Sequence, residues 1–391
     1  MIQNPFFLIC FLLSIEISVL YISSREHFKK YFQFLPSIFW IYFLPMLAST
    51  FNIIDSKSPI YQKITAQLLP ASLILLLLSV DIKAILKLGR EALLMFFIGS
   101  AGIIFGAPLV FFLLKPWIGN DFWSGFGAIA ASWTGGSANM IAVKEALSVK
   151  DNVFLPMVIV DTVVPYVWMG ILVALVGLQP LYDKWNKSNR KILDEIGGRV
   201  ASVSKQEKPR FCAKITIVIL ALAIFGSIFS QFLSGFLPTV KDMISPYAWT
   251  IIIVSLLGIF FSFTPIKKLE GFGASRIGYI LLYFVLTSIG AKASLVNIGA
   301  TTILISAGFF LVLIHAGILF IAARILKVPM FLAVVASQAN IGGVASAPIV
   351  AEIYQPGLAS VGLLLAILGN IVGTYFGILA GQLCHFVVHN T

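Results

Sequence analysis

Two stretches of this chain interrupt apolar runs with paired glycines and polar neighbours: Ala131-Ser132-Trp133-Thr134-Gly135-Gly136-Ser137-Ala138-Asn139-Met140 and Ala336-Ser337-Gln338-Ala339-Asn340-Ile341-Gly342-Gly343-Val344-Ala345-Ser346-Ala347-Pro348. Each glycine costs a helix about 1 kcal/mol relative to alanine and lets the backbone leave helical dihedrals. In lipid, unwound backbone survives only where protein or a cavity supplies hydrogen bonds, and the Ser, Thr, Asn and Gln side chains beside the glycines can do so. A break also creates a half-helix N-terminus whose partial positive charge suits an anionic group. Thr134, Gly135, Gly136, Ser137, Asn139, Gln338, Asn340, Gly342, Gly343 and Ser346 are therefore the expected solute-binding set. Small residues can instead serve close helix packing. Two breaks in register, each flanked by polar side chains, weigh against that simpler reading.

Asp161 is the sharpest single residue, well inside the run Phe154 to Leu178 with Pro165 four residues on. A carboxylate at such depth costs on the order of 3 kcal/mol and is kept mainly for ion or proton work. Asp161, with Thr162, Asn370 and Thr374 as oxygen donors, is expected to hold a coupling ion, Na+ or a proton; a structural Asp paired with Lys or an amide is the alternative. Glu16 is read as a structural or interface residue, and His315 as a hydrogen-bonded helix histidine rather than a proton relay. Lys144, Glu145 and Glu352 lie near helix ends, from which they can snorkel to the interface. An intramembrane hydrolase would need a nucleophile beside a base; Ser337 and His315 are available, but nothing in their spacing pairs them. There is no phosphate-binding Gly-Lys-Ser/Thr loop and no paired His-Glu metal motif. Cys10, Cys212 and Cys384 are too scattered for a disulfide framework or a zinc site. The expectation is a protein that is not an enzyme, holds no cofactor and binds no metal beyond a transported Na+.

These residues must be positioned by helices in a bilayer. Of 391 residues, 59% are hydrophobic and 11% charged, too little polar surface to coat a soluble globule of this size. Twelve apolar runs recur, at about 5–24, 35–53, 65–82, 91–115, 122–147, 153–178, 212–237, 243–264, 274–291, 296–325, 329–353 and 357–387. Runs of about 20 residues span the hydrocarbon. The first lacks a basic leader and a cleavage site, and is expected to be retained. The net charge of +11 resides in loops, which is a positive-inside signal rather than a nucleic-acid footprint. One long polar stretch, 179–211, with Lys184, Lys187, Arg190, Lys191, Arg199, Lys205, Lys208 and Arg210, reads as a cytoplasmic linker between repeats at 1–178 and 212–391.

The halves are related. Shifted by about 207 to 209 residues, Ser79-Val80-Asp81-Ile82-Lys83-Ala84-Ile85-Leu86 falls on Ser288-Ile289-Gly290-Ala291-Lys292-Ala293-Ser294-Leu295. Gly135-Gly136-Ser137-Ala138-Asn139 falls on Gly342-Gly343-Val344-Ala345-Ser346, and Glu145 on Glu352. Asp161 falls on Asn370 and Tyr166 on Tyr375. Basic loops at 24–34, 83–90, 184–214, 264–276 and 324–327 should all be cytoplasmic, yet twelve crossings cannot place them so. Five spans between Gly136 and Gly342 would make the halves parallel, so one boundary is miscounted, because an inverted pair needs an even number there. An inverted repeat therefore requires 11 or 13 crossings, or a segment that enters without crossing.

The motifs Trp133-Thr134-Gly135-Gly136-Ser137-Ala138-Asn139 and Ser337-Gln338-Ala339-Asn340-Ile341-Gly342-Gly343, with the Ser288–Ala291 turn and Gly369-Asn370-Ile371-Val372-Gly373-Thr374-Tyr375, resemble a bacterial membrane family of unknown function, DUF819, over essentially the whole length. That family is similar to the cation/proton antiporter and anion symporter group. The resemblance implies an all-α inverted-repeat transporter with panel and core domains, in which two unwound helices cross at Gly135, Gly136, Gly342 and Gly343. It further implies alternating access, dimerisation through the panel, and Asp161 on the helix that carries ion-binding carboxylates. Asn370 departs from relatives with a second carboxylate or a Lys there.

The expected function is sodium- or proton-coupled symport of a small organic anion in the bacterial cytoplasmic membrane, with lipid, the solute and a second copy of the chain as partners and no nucleic acid. A cation/proton antiporter and a non-transporting scaffold or sensor are the alternatives.

Overall fold

The computed structural model describes all residues except 29–30, 33–36, 201–211, 239–245, 293–300 and 391. Ala293, Ser294 and Leu295 of the first repeat match, and Lys205, Lys208 and Arg210 of the linker, lie outside the described residues. The rest is helical, with an isolated bridge between Ile2 and Ile54 and no strand among the described residues.

Among the described residues, eight helices are long and apolar enough to cross a membrane: Pro5–Ser23, Ile60–Leu78, Arg90–Ile118, Asp151–Asn186, Ala213–Ser234, Ala274–Lys292, Thr301–Leu326 and Ala359–His389. A ninth arises if Pro246–Ser262 is joined to Pro265–Phe272 across a 92° bend. The twelve apolar runs exceed this number for identifiable reasons. Run 35–53 is described only from Ser37, as the 14-residue helix Ser37–Thr50, and runs 122–147 and 329–353 are each divided in two.

Two compact units emerge, and they interleave the two halves of the sequence rather than coinciding with them. The first comprises Met1–Val80, Lys150–Val158 and Lys208–Gly299. It contains α1 (Pro5–Ser23), α2 (Ser37–Thr50) and α3 (Ile60–Leu78). Asn4 starts α1, its side chain accepting from the Phe6 amide at 2.9 Å, with Pro5 tolerated at the first helical position. Leu8, Leu12, Ala48, Ile54, Tyr61 and Ala291 form one buried cluster, and Ala71, Leu75, Leu78, Ile219, Ala223 and Ala274 another. Glu16 is buried on α1, and among the described residues neither carboxylate oxygen has a hydrogen-bond partner.

The second unit comprises Asp81–Val149, Ile159–Glu207 and Ala300–Thr391. Its first elements are α4 (Ile82–Leu86), capped by Asp81, and α5 (Arg90–Ile118). Next come the half-helices α6 (Phe122–Gly135) and α7 (Ser137–Ala146), followed by α8 (Asp151–Ala174), whose first turns belong to the first unit. Within the linker lie α9 (Gln179–Asn186) and α10 (Lys191–Val200). The first unit then supplies α11 (Ala213–Ser234), α12 (Pro246–Ser262) and α13 (Ala274–Lys292). The second unit ends with α14 (Thr301–Leu326), the half-helices α15 (Met330–Ile341) and α16 (Gly343–Tyr354), and the long α17 (Ala359–Asn390). A long helix, a divided helix and another long helix thus occur in the same order in both halves.

The divided helices fold back on themselves. A straight helix would hold Gly127 and Leu147 about 30 Å apart. Instead, a side chain at Gly127 would begin 2.8 Å from the Leu147 methyl, so α6 and α7 form a hairpin with its tip at Gly136. In the second, the Ser337 hydroxyl accepts from Trp168 at 3.0 Å while the Tyr354 hydroxyl donates to the Leu172 carbonyl at 2.6 Å. Two points on α8 about 6 Å apart thus reach residues that a straight helix would separate by about 26 Å. The two unwound helices expected from the resemblance are therefore two helical hairpins.

Candidate functional site

The first hairpin turns at Gly136, whose φ of 84° and ψ of 171° place it in a region that side chains disfavour. Its amide donates to the Ser132 carbonyl at 2.6 Å, closing α6, and its carbonyl accepts from the Asn139 amide at 3.0 Å, opening α7. The second hairpin turns through Gly342 (φ −104°) and Gly343 (φ 62°). Across that turn the Gln338 side-chain nitrogen donates to the Ser346 hydroxyl at 2.6 Å.

The first tip points to the middle of α17. Four glycines on this helix, Gly369, Gly373, Gly377 and Gly381, recur every fourth residue and face Gly127, Ala131 and Gly135 of α6. A side chain at Gly373 would begin 2.9 Å from the Gly135 backbone nitrogen, so the two backbones lie in contact. The stripe brings the first hairpin's tip to Asn370, whose side-chain oxygen is 3.4 Å from where a Cβ at Gly136 would stand. Asn139 fastens the junction: its amide nitrogen donates to the carbonyls of Gly135 at 2.5 Å and Asn370 at 3.4 Å, and its oxygen accepts from the Thr374 hydroxyl. The second hairpin approaches the other end of the same helix, where Gly362 leaves room for the backbone of Ala347 and Pro348.

Asp161 lies on α8 with its carboxylate facing the Ser132 hydroxyl and the Trp133 indole, one turn before the first tip. Of the expected ion set, Asn370 and Thr374 converge with Asn139 on that same tip, joining residues that sequence reasoning had divided between solute and ion. Thr162 is buried on α8. In the solute set, Thr134 is buried and its hydroxyl returns to the Ala130 carbonyl at 2.7 Å, an intrahelical bond. Asn340 is engaged by Ser100 of α5, amide to hydroxyl 2.9 Å apart. Ser137 is half-buried at the first tip. Gln338 is fully buried, and among the described residues its side-chain oxygen has no hydrogen-bond partner, an acceptor beside the second tip.

Sequence spacing did not anticipate the relay behind the second tip. Ser337 and His315 are paired: the Ser337 hydroxyl lies 3.0 Å from the His315 Nε2, and the His315 Nδ1 lies 2.8 Å from the Gly99 carbonyl. A carbonyl only accepts, so Nδ1 carries the proton and Nε2 accepts from Ser337, which in turn accepts from Trp168. His315 is fully buried, and its ring links the Gly99 carbonyl to Ser337 and through it to Trp168 in one hydrogen-bond chain. The signal was latent in Gly99 and Gly102 of α5, which make room for His315. Lys144, expected to snorkel, is instead buried at the end of α7 and paired with Glu145 at 3.2 Å. Among the described residues no group of three or more His, Cys, Asp or Glu could hold a metal.

The sequence profile of a family described as protein of unknown function (DUF819) matches residues 11–386. An uncharacterized membrane protein, YjcL of Bacillus subtilis (strain 168), is 26% identical over 353 residues, covering 85% of this chain and 86% of that protein.

Proposed function

The chain belongs to the family described as protein of unknown function (DUF819), and from that premise we propose that this multi-pass membrane protein is a secondary transporter, carrying a small organic anion together with Na+ or a proton by alternating access. The observation that carries this reading is a hairpin tip seated at the middle of one helix beside a membrane-embedded carboxylate, with a second hairpin packed on the same helix. A tip offers both ends of a helix at once. The first-turn amides of α7 and α16 suit an anion, while the last carbonyls of α6 and α15 suit a cation. Asp161 supplies the charge for the ion, with Asn370 and Thr374 adding oxygens. Ser137, Gln338 and Ser346, near the glycines of the two tips, suit the polar groups of a solute.

Unit two fits the core of an inverted-repeat transporter and unit one its panel, which is also the surface we assign to dimerisation. The membrane is the bacterial cytoplasmic membrane. A cation/proton antiporter is the second reading, favoured by the position equivalent to Asp161 being an amide, Asn370, so that a single carboxylate could alternate between cation and proton.

The test is transport in proteoliposomes under an imposed sodium or proton gradient, offering radiolabelled small carboxylates and amino acids. Symport is expected to accumulate at least one of them, and Asp161→Asn to abolish the accumulation. Cation exchange with no organic co-solute would instead establish the antiporter. Wild-type protein that moves neither would leave a non-transporting scaffold or sensor.

A further inference from the structure

The two hairpins approach α17 from opposite ends. At the open end of the first, the Trp123 ring lies 4.5 Å from that of His385, and Leu147 packs on Gly381, both near the C-terminus of α17. The open end of the second is Tyr354, five residues before α17 begins.

Charge distinguishes these ends. Around the open end of the second hairpin gather the basic segments of this unit. The Arg199 guanidinium reaches within 3.0 Å of where a Cβ at Gly89 would stand, and Gly197 of the same helix meets Leu358. The Asn189 amide donates to the Lys327 carbonyl at 3.0 Å. Arg324 donates to the Trp185 carbonyl at 3.1 Å and covers its ring. Lys87, Lys184 and Arg190 lie in the same segments. At the other end the described Lys and Arg residues of this unit are fewer, Lys115 and Lys144. Membrane proteins keep such a Lys/Arg excess on the cytoplasmic side.

We propose that the second hairpin enters the membrane from the cytoplasmic face and the first from the opposite face, each returning to the face it came from. Each aqueous compartment is then separated from the tips by one hairpin, a gating role that rests on the transporter reading above, whereas the sidedness does not. The arrangement also settles the crossing arithmetic. With neither hairpin crossing, α1, α2, α3, α5, α8, α11, α12, α13, α14 and α17 cross. The described basic segments of this unit, at 83–90, 184–199 and 324–327, then share the cytoplasmic face. The odd number of crossings between the hairpins, which would make two broken crossing helices parallel, makes two returning hairpins inverted.

Single cysteines decide this in full-length protein whose Cys10, Cys212 and Cys384 are replaced by alanine. Asn120→Cys and Ser148→Cys mark the two limbs of the first hairpin, and Asn189→Cys and Gln355→Cys mark the other end; two positions per end guard against one failed variant. A membrane-impermeant maleimide applied to intact cells is expected to label Asn120→Cys and Ser148→Cys. The other two should be labelled only after permeabilisation. Labelling of Asn120→Cys and Ser148→Cys from different faces would show that the first hairpin crosses and overturn the proposal. So would labelling of Ser148→Cys and Gln355→Cys from the same face. Either outcome leaves the transport assay free to succeed or fail independently.

Discussion

Asn139 holds the first tip to α17 by accepting from Thr374 while donating to two carbonyls. Asn139→Ala should leave those partners unsatisfied in a dry contact, at about 1 kcal/mol per hydrogen bond lost, read as a lower melting temperature in detergent. Ser337→Ala should behave alike, because it orphans both Trp168 and His315. Asp161→Asn is different in kind. It keeps the shape but removes the charge, and losing one charge at a dry site costs on the order of 3 kcal/mol, about 100-fold in ion affinity. Cation binding by calorimetry should therefore collapse while the melting temperature, without added ion, holds or rises. At this scale the sequence exposed which residues were out of place in lipid, including Asp161, Asn139, Asn370 and Thr374. It did not expose who meets whom: Ser337 and His315 are 22 residues apart on different helices, and only the packing of α14 beside α15 brings them together.

A glycine pair announces that a helix stops, but not whether the chain continues or returns. Both outcomes need the same apolar run on either side, which is why hydropathy read runs 122–147 and 329–353 as crossings. What decides is the surface waiting alongside: Leu147 finds Gly127 and Gly381, whose missing side chains leave it a berth. The two turning glycines differ in their demands. Gly136→Ala forces a side chain into a backbone region used almost solely by glycine, beside Asn370, and should cost on the order of 1–3 kcal/mol. Gly343→Ala pays only the left-handed penalty in open space, about 1 kcal/mol. Thermal unfolding of the two variants should rank them in that order. Gly373→Val should prevent α17 from seating on α6 and give aggregated protein on size exclusion. Gly170→Val, with nothing within 4 Å, is the control expected to stay monodisperse.

At the scale of the whole molecule, composition was sufficient for the membrane, whereas the compact units were hidden because each draws helices from both halves. Neither 1–200 nor 201–391 contains a complete unit. Expressed alone, each fragment should be degraded; expressed together, they should copurify through a tag on one. The glycine stripe of α17 has a mechanical consequence. Because it repeats every fourth residue, the surface it presents looks nearly the same after a displacement of one turn, about 6 Å along the axis. Interlocked side chains have a single notch, whereas a smooth ladder of this kind has several of comparable depth. In an engineer's terms the helix is a ratchet bar without teeth, and the load can be indexed along it a rung at a time without first being lifted clear.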